Sequence, residues 1–142
     1  MEFKKSTQLD TIYHDARTIR RHVFVEEQGI AEKLEFDGSD NGATFFVAYE
    51  NGRPVATARA TATAAGVHIQ RVATEKAVRH RGYAKQLLQY LLADSQFKNT
   101  KRFYLGAQET AVGFYETLGF KVFGKPFIEV GIKHVNMEKV IR

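Results

Sequence analysis

The stretch 67–92 changes its hydrophobic period part-way along, and few folds accommodate that change. Val67, Ile69, Arg71 and Ala73 alternate with His68, Gln70, Val72 and Thr74, which reads as a strand ending at Thr74. Beyond a polar connector, Ala84, Leu87, Leu88, Leu91 and Leu92 recur at the spacing of one helix face. Arg79-His80-Arg81-Gly82-Tyr83-Ala84 joins the two. The first N–H groups of a helix lack intrahelical partners and carry partial positive charge. A turn there with two arginines and a glycine therefore suits a phosphate group.

The other elements arrange themselves around this unit. Residues 2–8 read as a short first strand, and Asp10 can cap a helix from Thr11 with Ile12, Ala16, Ile19 and Val23 as its apolar stripe. Gly29 closes that helical region, and the acidic, glycine-punctuated segment 30–42 reads as a loop anchored by Phe36. Strands 44–50 and 54–63 flank Asn51-Gly52, a strong hairpin signal. Strand 101–106 follows a helical crossover, which favours parallel pairing with strand 67–74. Thr110 can cap a short helix carrying Ala111, Phe114, Tyr115 and Leu118, with Gly119 left-handed at its end. Residues 120–123 and a longer run 127–140 complete the sheet as an antiparallel pair. The fold class is α/β with a mixed sheet, antiparallel strands leading into a parallel pair.

With 142 residues and 44% hydrophobic content, the chain suits a single domain with its own core. It has no cysteine, which excludes disulfides, thiolate metal sites and a covalent Cys-acyl intermediate. The first ten residues lack an apolar signal core and no apolar run approaches a membrane span, so a soluble cytoplasmic protein is expected. The net charge of +5 is scattered among sixteen acidic residues, a pattern that fits a small polyphosphate better than a nucleic acid. His14, His22, His68 and His80 lack zinc-ligand spacing, so no metal is expected. P-loop, three-glycine dinucleotide and G-x-S-x-G patterns are missing too.

Two motifs carry a family resemblance. Arg79-His80-Arg81-Gly82-Tyr83-Ala84 is similar to the Q/R-x-x-G-x-G/A pyrophosphate loop of the GNAT N-acetyltransferase superfamily, and AVGFYETLGF at 111–120 is similar to its A-x-x-F-Y-x-x-L-G-F motif. Their order and separation make the pair far more specific than either alone. Residues 23–29, Arg71-Val72-Ala73, Ala107-Gln108 and 131–134 extend the resemblance over nearly the whole chain, toward a small bacterial branch. The resemblance implies one N-acetyltransferase domain, residues 1–142, whose parallel strands splay to hold acetyl-CoA as cosubstrate. It implies that Arg79, His80, Arg81, Gly82, Tyr83 and Ala84 bind pyrophosphate. Val72, Ala73 and Thr74 would hold pantetheine and carbonyl, Gln108 would contact the cofactor, and Tyr115 would protonate the departing thiolate.

An attacking ammonium must first lose a proton. Glu27 and His134 are the two candidate bases, and water is the alternative. The acidic segment 32–40, with Glu26 and Glu27, could attract a cationic amine; the preferred reading is a solvated loop. Peptide N-termini, lysine side chains, polyamines, aminoglycosides and small metabolites all stay open as acceptors. Two other classes compete with an enzyme: a noncatalytic acyl-CoA sensor or scaffold, and a nucleic-acid binder that the scattered charge disfavours. Neither nucleic acid nor membrane is expected as a partner, and a homodimer through the terminal strands is compatible with the fold.

Overall fold

The computed structural model describes residues 1–141. Strands β1 (Glu2–Ser6), β2 (Thr44–Glu50), β3 (Arg53–Thr63), β4 (Gly66–Thr74), β5 (Arg102–Gln108), β6 (Lys121–Glu129) and β7 (Ile132–Val140) form one sheet, ordered β1-β2-β3-β4-β5-β7-β6. All neighbours are antiparallel except β4 and β5. The helices are α1 (Thr11–Arg20), which continues into a π-helical segment (Arg21–Glu27), then α2 (Glu32–Glu35), α3 (Tyr83–Leu92) and α4 (Val112–Glu116). None is long and apolar enough to cross a membrane.

Local chemistry explains the boundaries. The Asp10 carboxylate caps α1 by accepting the Tyr13 N–H at 3.1 Å. Asn51 and Gly52 are both left-handed, φ 52° and 77°, as the two-residue hairpin turn requires. Leu87, Leu88 and Leu91 bury the α3 stripe against Phe46, Ile69 and Phe103 on one sheet face. On the other face α1 buries Ala16 and Ile19 against Phe45 and Val47. Burying a leucine side chain is worth about 1.5–3 kcal/mol, so the two stripes clamp the sheet from both sides.

Several expectations need correction. The run 127–140 is not one strand: Val130 and Gly131, at φ 46° and 75°, turn it into the β6–β7 hairpin, and β7 inserts between β5 and β6. The loop at 30–42 contains α2. Thr110 does not cap α4, whose N-cap position is Ala111 without a side-chain bond. Most consequential is β4. Thr57 pairs with Ala73 but Arg59 pairs with Gln70, so one β3 residue opposes two on β4, and Arg71 takes a left-handed φ of 57°. This bulge flips the alternation. Val67 and Ile69 join the α3-side core, whereas Ala73 joins the α1-side core.

Candidate active site

β4 and β5 pair only at Val67–Phe103 and His68–Tyr104, then diverge. The divergence and the bulge open a cleft of about 540 Å³. Its walls come from Phe24 of the π-helical segment and Gln28 just after it, Arg71 and Val72 of the bulge, and the β6–β7 hairpin. A bulge leaves an inserted residue outside the ladder, so backbone groups at Arg71 and Val72 are available beside the cleft. Gly106 keeps the floor open; a Cβ there would stand 3.2 Å from the Phe127 ring.

Tyr115 lines this cleft from α4, edge-on to Phe114 and Phe120 with ring centroids at 5.1 and 6.0 Å. Burial alone raises the pKa of its hydroxyl, which therefore stays protonated. His134 lies across the cleft on β7, buried and stacked on Phe127 at 5.5 Å. Its Nδ1 is 2.7 Å from the Ile132 carbonyl, which can only accept, so Nδ1–H donates there and Nε2 is the ring nitrogen left to meet another group. Gln108, paired in register with His134, donates Nε2–H to Gln28 Oε1 at 3.1 Å and joins β5 to the π-helical segment. His68, stacked on Tyr104 at 4.5 Å, also lines the cleft, and burial lowers its pKa.

Glu27 stands elsewhere. Both of its oxygens accept from Arg79, which also donates Nε–H to the Thr74 carbonyl at 3.1 Å. The guanidinium holds the Glu27 carboxyl below its ordinary range. A carboxylate engaged in this way and outside the cleft lining is a poor proton acceptor. The other turn residues divide by exposure: His80, Arg81 and Gly82 are exposed, while Tyr83 and Ala84 are half-buried at the start of α3. His80 and Gly82 are left-handed, φ 65° and 82°, the backbone form from which anion-binding concavities are made. A Cβ on Gly82 would meet only Gln86 Nε2, at 3.6 Å, so the space before the turn is open.

The acidic segment is not simply solvated. Glu35 and Arg20 have side chains 3% and 1% exposed and pair at 2.9 Å. Arg20 also grips Asp40, which accepts from Arg59 and Tyr13 as well. Arg71 Nε lies 3.1 Å from Glu35 Oε2 without the alignment of a hydrogen bond. Desolvation raises the Glu35 pKa despite its arginine neighbours, whereas Arg59, Arg20 and Tyr13 outweigh burial and lower that of Asp40. No cluster of three or more metal-ligating side chains occurs among the described residues.

A sheet parted at its one parallel pair, beside a basic turn that opens a helix, is matched by known proteins. The family description "Acetyltransferase (GNAT) domain" fits residues 10–141. The chain belongs to the GNAT acetyltransferase family. This GNAT chain is 34% identical over 131 residues to the uncharacterized protein YyaT of Bacillus subtilis, spanning 90% of this chain and 88% of that one. An acyl-CoA N-acyltransferase from Pseudomonas aeruginosa superposes with a TM-score of 0.85 at 25% identity, over 99% and 100% of the two chains. The PaiA N-acetyltransferase of Thermoplasma acidophilum, solved with coenzyme A, shares the fold at TM-score 0.71 and 15% identity, over 99% and 100%. The chemistry of the family is acyl transfer.

Sequence reasoning for this GNAT domain missed Arg71, His68, Phe24 and Phe127 as cleft residues. A glycine at 106 inside a strand was the available signal for close approach at the floor. No local pattern marks the bulge that turns Arg71 into the cleft.

Proposed function

We propose that the protein transfers an acetyl group from acetyl-CoA to a primary amine by direct attack within a ternary complex. The observation that carries this reading is the cleft opened where β4 and β5 part, lined by Tyr115 and by His134, whose Nδ1 is held by the Ile132 carbonyl. Coenzyme A in the Thermoplasma acidophilum relative supports the donor. The residues fit such a donor, because the amides at the start of α3, exposed Arg81 and the open space before Gly82 suit pyrophosphate. Val72, Ala73 and Thr74 lie on the parted edge, where an extended pantetheine can pair with backbone as an added strand does. Gln108 completes the opposite edge.

In this mechanism His134 Nε2 takes a proton from the ammonium, directly or through water, and the amine nitrogen bonds to the thioester carbonyl carbon. A backbone N–H at the bulge stabilises the oxyanion. The C–S bond breaks, and Tyr115 gives its proton to the thiolate.

Acetyl-CoA at 100 times its dissociation constant is expected to stabilise the protein by about 2.7 kcal/mol, a thermal shift of several degrees that matched ATP does not reproduce. No shift at millimolar acetyl-CoA would sink the donor site. A shift without turnover against an amine panel would instead make the chain a binding module. Gly82→Val should weaken acetyl-CoA at least about tenfold in calorimetry, since a non-glycine residue at left-handed φ costs about 1–2 kcal/mol and a branched one more. Unchanged affinity would show that the turn does not hold the donor. His134→Gln is expected to lower turnover by about 10²-fold while sparing acetyl-CoA binding; unchanged turnover would transfer the base to another group.

A further inference from the structure

The basic turn and the helical wall of the cleft are joined at two points. All three guanidinium nitrogens of Arg79 are engaged: Nη1 and Nη2 with the two Glu27 oxygens at 2.5 Å each, and Nε with the Thr74 carbonyl. On the same π-helical segment, His22 Nδ1 lies 2.7 Å from Glu75 Oε2, in the connector that leads to the turn. That segment also presents Phe24 to the cleft. A fork that gives three of its five N–H donors to a carboxylate and a backbone carbonyl is held in one orientation facing Glu27, whereas Arg81 stays exposed.

We infer that Glu27 and Arg79 are positioning residues that brace the donor-binding turn against the acceptor-side helix, and that Arg79 is not itself a phosphate ligand. The inference rests on the acetyl-CoA reading above. Phosphate contacts then fall to Arg81 and the amides that open α3. Charge alone makes the opposite forecast for Glu27. Removing a carboxylate beside a basic turn raises the local positive charge and should tighten a polyphosphate. A brace requires the reverse, because a released turn must be ordered when the ligand binds.

The test is coenzyme A binding by calorimetry for the wild type, Glu27→Ala, Arg79→Ala, Arg79→Lys and the Glu27→Ala/Arg79→Ala pair, with hydrogen exchange of the free proteins. Each single alanine variant should bind coenzyme A about fivefold more weakly. Arg79→Lys should weaken binding too, since an ammonium keeps the charge and loses the fork. The double variant should stay within about twofold of the weaker single variant, as two ends of one contact do. Amides of residues 75–83 should exchange faster in Glu27→Ala than in the wild type. Tighter or unchanged binding in Glu27→Ala, additive losses in the double variant, or unaltered exchange would each overturn the brace. Failure of the wild type to bind coenzyme A would instead defeat the donor reading, and the exchange comparison would still decide the brace.

Discussion

Tyr115→Phe is expected to lower turnover by about 10²–10³-fold while acetyl-CoA affinity stays within about twofold. The substitution removes one oxygen and keeps the ring between Phe114 and Phe120, so packing within α4 and against the sheet is retained. In the proposed mechanism, what disappears is the proton for the departing thiolate. Burial is the sole cause of the raised Tyr115 pKa, with no neighbouring charge contributing. The hydroxyl therefore stays protonated through the ordinary tyrosine range, and Tyr115 imposes no alkaline limb on the profile below it. The measurement is kcat and KM with any amine that the wild-type protein acetylates, beside calorimetry with acetyl-CoA. Equal turnover would make Tyr115 a packing residue of the cleft wall. Loss of acetyl-CoA affinity at full kcat would make it a binding residue.

The basic turn proposed to hold the donor was legible in the sequence because its signals are local. The end of a strand, two arginines, a left-handed glycine and the α3 stripe all fall between Thr74 and Leu92, and each appears where its chemistry predicts. The cleft and the ionic cluster beside it depend on residues distant in the chain. Alternation from Val67 to Thr74 contains no mark of the extra residue at the bulge, so it placed Ala73 on the face of Ile69 when the two belong to opposite cores. Glu35 read as solvated because its composition window is acidic; its partners Arg20 and Arg71 lie 15 and 36 residues away. Glu27 stood as one of two candidate bases because nothing near it in the chain announces Arg79. The β6–β7 hairpin was hidden by Val130, a β-branched residue in a left-handed turn position that its side chain disfavours.

Arg20→Ala should destabilise the protein by about 3–5 kcal/mol at neutral pH, the loss expected when one member of a buried ionic cluster is removed. Arg20 bonds Glu35 through Nε, Asp40 through Nη1 and the Glu35 carbonyl through Nη2. Asp40 would keep Arg59 and Tyr13, so most of the loss falls on Glu35. Glu35 already has a raised pKa from desolvation, and Arg20 is the largest influence that opposes it. The sign of the pH dependence follows. A carboxyl whose folded pKa is raised is destabilising while ionised, and that penalty is relieved as pH falls through the folded value. Without Arg20 the penalty grows, so the stability difference between variant and wild type should shrink from about pH 8 to about pH 5. Asp40 adds to the same trend in the difference, because its lowered pKa rests partly on Arg20 and the stabilisation that the variant loses there fades on acidification. Denaturant unfolding across that range gives both size and slope. Arg20→Met with Glu35→Gln should recover part of the loss, because the buried charge goes with its partner. A loss below about 1 kcal/mol, or one that grows on acidification, would mean that water reaches Glu35 in the variant and that the cluster does not hold α2 against the cleft.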